Sequence, residues 1–140
     1  MYWRLIFCLG VLTSAAACQT DSKDQILATS QSAVQLRSYQ SRAFDTTDRA
    51  KTLRTVIATL QDLNFVIDKA DATLGTVTAT KLDKYALRIT VTVRERGTTQ
   101  ILVRANAQYQ AQAVEDPKPY QTFFEALQKA MFLTAHEVDG

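Results

Sequence analysis

The sequence predicts an α+β fold, a four-stranded antiparallel sheet with two helices on one face in the order β-α-β-β-β-α. Three patterns carry that expectation. From Tyr85 to Arg96 the chain alternates strictly, with Leu87, Ile89, Val91 and Val93 on one side and Arg88, Thr90, Thr92 and Arg94 on the other. A period of two sets one row against a core and the other in water. Earlier, Ala50, Leu53, Val56, Ile57, Leu60 and Leu63 recur three or four apart, the spacing of a helix with one apolar stripe. A second, aromatic-rich run of Tyr120, Phe123, Phe124, Leu127, Ala130 and Met131, with Leu133 at its end, repeats that spacing after two prolines.

Taken in order, Tyr39–Phe44 reads as the first strand, and Asp45-Thr46-Thr47-Asp48 offers capping side chains for a helix from Thr47 to Leu63. Asn64 follows where a left-handed residue often closes a helix, and Phe65-Val66-Ile67 leads back toward the sheet. The second strand is expected over Leu74–Lys81, where Thr76, Thr78 and Thr80 alternate with Val77 and Ala79, and Gly75 marks a bulge or a tight strand start. Tyr85–Arg96 is the third strand. Gly97-Thr98-Thr99 turns the chain, and Gln100–Tyr109 returns with Ile101, Val103, Ala105, Ala107 and Tyr109 on the inner side. Asp116-Pro117-Lys118-Pro119 then ends the sheet pattern, and proline is tolerated at the start of the following helix because the first amides lack intrahelical partners. The order lacks the second βαβ unit of ferredoxin-like domains, which separates it from the common RNA-binding arrangement.

Ahead of this domain, Arg4 and the amino terminus precede an apolar run from Leu5 to Leu12, and Ser14-Ala15-Ala16-Ala17 leads to Cys18. That is the layout of a signal peptide. Small residues before a cysteine resemble a lipobox, in which the thiol is thioether-linked to diacylglycerol and the chain is cut on the amino side of the cysteine. Residues 1–17 are therefore expected to be removed, and Cys18 to carry the lipid, with palmitate-type acyl chains holding the protein to a membrane. The competing reading is an ordinary secretory signal cut near Ala17, which leaves Cys18 as a free thiol. The apolar run falls short of the roughly 20 residues needed to span hydrocarbon. Of the two cysteines, Cys8 lies in the discarded part, which leaves Cys18 without an internal disulfide partner. Gln19 rather than aspartate follows Cys18, which resembles cargo released to the outer membrane.

Residues 18–38 are polar and read as a flexible tether, since Ile26, Leu27, Val34 and Leu36 are too few to offset the entropy of ordering the segment. A short amphipathic helix packed on the domain is the alternative. Residues 39–140 remain for one domain with one modest core.

Charge is nearly balanced, with 16 Lys plus Arg against 14 Asp plus Glu. Nucleic-acid binding needs a concentrated cationic excess and is not expected. Catalysis is not expected either. His136 is the single histidine, lies past the second helix, and reads as a surface side chain. Asp62, Asp68 and Asp71 lack the glycine turn and ligand spacing of a calcium loop, so no metal or cofactor is expected. Arg88, Arg94 and Arg104 fall on the outward side of neighbouring strands and are the candidate binding residues, suited to anionic lipid headgroups, cell-wall polymer or an acidic protein. A solvated sheet face charged against aggregation gives the same pattern.

The stretch Lys51–Lys81 resembles the helix-to-strand unit of small bacterial envelope lipoproteins, including the BamC lipoprotein of the β-barrel assembly machinery. The shared phrase is a helix ending in Leu-x-x-Leu-Gly-Phe, an acidic segment, and a glycine opening a strand. Here it reads Leu60-Gln61-Asp62-Leu63-Asn64-Phe65, then Gly75-Thr76, with Asn64 in the place of the glycine. The resemblance implies a fold and carries over no functional residues. The signal and the outward sheet face set the expected function: a non-enzymatic accessory or scaffold component of an envelope complex, anchored to the outer membrane through Cys18 and facing the periplasm, with an envelope protein as partner. The alternative is a module that binds lipid or cell-wall fragments.

Overall fold

The computed structural model describes residues 33–132 and the backbone of 135–137. The expected signal peptide, Cys18 and most of the expected tether lie outside the described residues. Residues 33–40 are helical (α1). The chain continues through β1 (Ser41–Phe44), α2 (Arg49–Asp62), β2 (Val66–Asp71), β3 (Thr76–Asp83), β4 (Tyr85–Arg96), β5 (Gln100–Tyr109), β6 (Gln112–Ala113), α3 (Lys118–Met131) and β7 (Ala135–Glu137). All pairings are antiparallel, in the order β2-β3-β4-β5-β1-β7, with β6 attached to β5.

The expected α+β class holds, and α2 and α3 share one face of the sheet, where both contribute to a single core. The expected count of four strands and two helices does not hold: among the described residues the sheet has seven strands and α1 is a third helix. Each departure has its own cause. β2 is an edge strand whose sequence, Val-Ile-Asp-Lys-Ala-Asp, lacks apolar alternation, and a register shift between Ile67 and Lys69 breaks its period. Ile67 packs on the core, and backbone pairing to β3 does the rest. β6 and β7 have two and three residues, too few for any periodicity to show. β1 starts at Ser41 rather than Tyr39 because Tyr39 belongs to α1, where it and Leu36 rest against the core. Ordered packing thus begins ahead of residue 39.

The helices form for the reasons their spacing suggests. Asp48 caps α2, its carboxylate accepting the Lys51 backbone N–H at 2.8 Å. Leu53, Val56 and Leu60 face the sheet, while Ala50, at the margin of the stripe, is exposed. Asn64 closes the helix with φ 65, and the N–H groups of Asn64 and Phe65 return to the carbonyls of Gln61 and Leu60 at 2.9 Å each. On α3, Tyr120, Phe123, Phe124, Leu127 and Met131 are buried and Ala130 is exposed. Burying each such side chain contributes on the order of 1.5–3 kcal/mol. Phe123 and Phe124 meet edge to face with centroids 5.1 Å apart. Tyr109 was expected on the inner side, and its register opposite Leu87 puts it there, but it lies beyond the helices and is 42% exposed.

Two places join distant elements. β1 pairs with β5 from Ile101 to Arg104 and reaches no further. Beyond that point the hydroxyl of the fully buried Tyr120 serves the β5 edge: it accepts the Ala107 backbone N–H at 3.2 Å and donates to the Val114 carbonyl at 2.8 Å. Val114 in turn donates its N–H to the Ala107 carbonyl at 2.9 Å. The second place is the β2–β3 turn. Gly75 has φ +68, and a Cβ built there would fall 2.5 Å from the Val93 carbonyl oxygen and 2.5 Å from the Arg49 guanidinium. That close approach lets the Gly75 carbonyl accept the Val93 N–H at 2.7 Å, while Arg49 donates to the carbonyl of Thr73 at 3.0 Å.

Tyr120→Phe keeps the ring and leaves the Ala107 donor and Val114 acceptor without their hydroxyl, so stability should fall by about 1–3 kcal/mol in urea titration. An unchanged midpoint would contradict this account of the β5 edge. The two positive-φ glycines separate strain from crowding. A Cβ at Gly97 (φ +62) meets nothing within 4 Å, so Gly97→Ala should cost about 1–2 kcal/mol from backbone strain. Gly75→Ala should cost about 1–3 kcal/mol more, because the chain must also give way. Equal midpoints for the two variants would show that the approach at Gly75 is relaxed.

Candidate functional site

The face of the sheet away from α2 and α3 is built from the second row of each alternating strand. On β3 this row is Thr76, Thr78 and Thr80, opposite Thr92, Thr90 and Arg88 of β4; the latter stand opposite Arg104, Asn106 and Gln108 of β5. Threonine suits this surface because its β-branch favours the extended backbone while its hydroxyl tolerates water. The Thr78 and Thr90 hydroxyls lie 3.3 Å apart across the strands. The floor is half-buried and polar, and the cations stand on it.

Arg88, Arg94 and Arg104 are exposed and share this face, as the alternation implies. The register brings only two of them together. Arg104 pairs with Thr92, and Arg94 pairs with Leu102, so the two arginines are diagonal neighbours with Cα atoms about 7–8 Å apart. The half-buried Leu102 stands directly opposite Arg94 and two residues from Arg104, and its partner on the other side is the buried Ala43 of β1. Arg88 is four residues from Thr92 along β4, which separates it from Arg104 by about 13 Å. Arg96 also shares the face and donates to the Gln100 side chain at 3.3 Å, and that residue donates to Asp45 at 2.8 Å. Counting by twos from Arg94 finds Arg96 in the sequence; its place beside the Gly97 turn masked it.

The aspartates do local structural work. Asp68 accepts the Thr80 hydroxyl at 2.6 Å, Asp71 accepts the Leu74 N–H at 2.9 Å, and Asp62 ends α2. Among the described residues no three His, Cys, Asp or Glu side chains gather as a metal set would. His136 lies in β7, its backbone opposite Ala43 of β1. Chemically, the Arg94–Arg104 pair around Leu102 can hold a carboxylate or phosphate against a small apolar contact. No described helix is long and apolar enough to cross a membrane.

In comparisons with known proteins, no protein-family model and no curated protein matches the chain.

None of the three arginines is placed to support the core. Arg88→Glu, Arg94→Glu and Arg104→Glu should each leave unfolding stability within about 0.5 kcal/mol, measured by urea titration. A larger loss at any of them would assign that arginine a structural role instead.

Proposed function

We propose that this chain is a non-enzymatic accessory lipoprotein, anchored through Cys18 to the outer membrane and facing the periplasm, whose open sheet face holds a partner in an envelope complex. The observation that carries this reading is the contrast between the two sides of the sheet. On one side, Phe44, Tyr120, Phe123 and Leu127 are buried in one continuous apolar core beneath the helices. On the other, Arg94 and Arg104 stand exposed across Leu102 on a polar floor. That supports a scaffold, which works through a shallow outer surface, over a ligand module, which needs an internal space. A tether would confine this surface to a thin layer at the membrane, where modest contacts gain from effective concentration. An acidic segment of an envelope protein suits the arginine pair.

Two measurements test it. Cys18→Ser should lose the mass of the acyl chains and leave the membrane fraction; persistence there at unchanged mass ends the anchored reading. The double variant Arg94→Glu, Arg104→Glu should remain folded and anchored and lose partners that co-purify with the parent chain. If the co-purifying set is the same, the sheet face is not the docking surface.

A further inference from the structure

The β3–β4 hairpin ends in an exposed tip that the core does not use. Leu82 pairs with Ala86 and is 85% exposed, and Tyr85 pairs with Asp83 and is 66% exposed. Beside them stand Val66 at the start of β2, 71% exposed, and Tyr109 at the end of β5, which lies opposite Leu87, two residues along the strand from Tyr85. Single exposed apolar residues are ordinary on a soluble protein, but here Leu82 and Val66 on the outward face and Tyr85 and Tyr109 on the inner face flank one sheet end from both sides. The chain turns at Lys84 with φ 55. Within Lys81–Arg88 three cations, Lys81, Lys84 and Arg88, face one acid, Asp83. Lys81 lies over the Phe65 ring, its ammonium 5.8 Å from the centroid.

We propose that this tip rests in the interfacial layer of an anionic bilayer, with Leu82 among the acyl chains, Tyr85 and Tyr109 at headgroup depth, and Lys81, Lys84 and Arg88 toward the phosphates. A bilayer accepts an exposed apolar point without a matching pocket. Tyrosine favours the boundary between water and hydrocarbon, and lysine keeps its stem in the apolar layer and its charge among headgroups. Chain direction agrees. β1 runs from Ser41 opposite Arg104 to Phe44 opposite Ile101, away from the Tyr109 end of β5, so the chain arrives at β1 from the end of the sheet that carries the tip. Gln40 confirms the placement by donating at 3.4 Å to the Tyr120 hydroxyl, which is bound to Ala107. Ser41 is thus the end of β1 nearer the tip, and α1 leads into it. The proposal rests on the anchored reading and adds an orientation to it.

The test uses the protein purified from cell membranes in a Trp3→Phe background, so that neither the processed protein nor an uncleaved precursor carries a native tryptophan. It is reconstituted with vesicles of phosphatidylethanolamine and phosphatidylglycerol that carry brominated acyl chains. Leu82→Trp should emit at shorter wavelength with vesicles than without and lose most of its emission to the bromines. Leu74→Trp is the control, because Leu74 is 62% exposed in the β2–β3 turn at the opposite end of the sheet; its emission should remain that of an indole in water. Sedimentation with vesicles is read on the same samples. Sedimentation with both probes unquenched, or both quenched alike, overturns the oriented tip and leaves the anchor standing. Tip quenching that survives Cys18→Ser supports the tip as a contact in its own right, a parent chain without acyl mass overturns the anchor alone, and absence from the vesicle fraction overturns both. A blue shift that grows with protein concentration in the absence of lipid assigns the tip to a second copy of the chain and overturns the bilayer contact.

Discussion

Over β3, β4 and β5 the sheet carries its helices on one face and a polar row on the other, and that asymmetry originates in β4. Its inward row of Leu87, Ile89, Val91 and Val93 is buried under α2 and α3, and its outward row of Arg88, Thr90, Thr92 and Arg94 is half-buried or exposed. A shift of register by one residue would exchange the two rows and put arginine into the core, at a cost no domain of this size could absorb. The register is therefore held tightly. β3 and β5 inherit it by pairing along most of their length, so the polar face and the core are two consequences of one alternation.

The alternation does not determine how the sheet ends. β1 covers only part of the β5 edge, and the remaining amides near Ala107 need partners in a place where water is scarce. A short β6 supplies some of them, and the Tyr120 hydroxyl supplies the rest by standing where a strand's backbone would otherwise be. One side chain thereby links α3, β5 and the loop after β6. At the opposite end, Arg49 and Gly75 serve the same purpose by fastening the start of α2 and the β2–β3 turn to β4. The sheet is thus fixed at both ends by polar contacts and along its middle by apolar ones.

What was legible in the sequence follows from this division. The stripes of α2 and α3 and the strands β3, β4 and β5 were readable because each buries a continuous row of side chains, and burial leaves a period. β2 was obscured because an edge strand with a bulge buries almost nothing, and β7 because three residues carry no period. The role of Tyr120 was hidden for another reason: its partners at Ala107 and Val114 lie in other elements, and nothing local marks a hydroxyl that will replace a strand. On the surface, outward placement of Arg88, Arg94 and Arg104 was readable from parity alone. Their separation into a pair and a distant third was not, since it depends on the stagger between β4 and β5.

That stagger also divides the labour among the cations. Arg88 lies two residues from Ala86 and belongs with Lys81 and Lys84 at the tip, whereas Arg94 lies eight residues along β4 from Ala86, about 27 Å away. Screening reduces the influence of headgroup charge over about 8 Å at physiological salt, so a bilayer touching the tip would scarcely be felt at the Arg94–Arg104 pair. If the tip meets a membrane, the strands run outward from it and the face that carries Arg94 and Arg104 is turned sideways. The pair would then be neither masked by lipid phosphates nor directed away from a partner. Membrane contact and partner contact would use perpendicular surfaces of one sheet, and each could form without displacing the other.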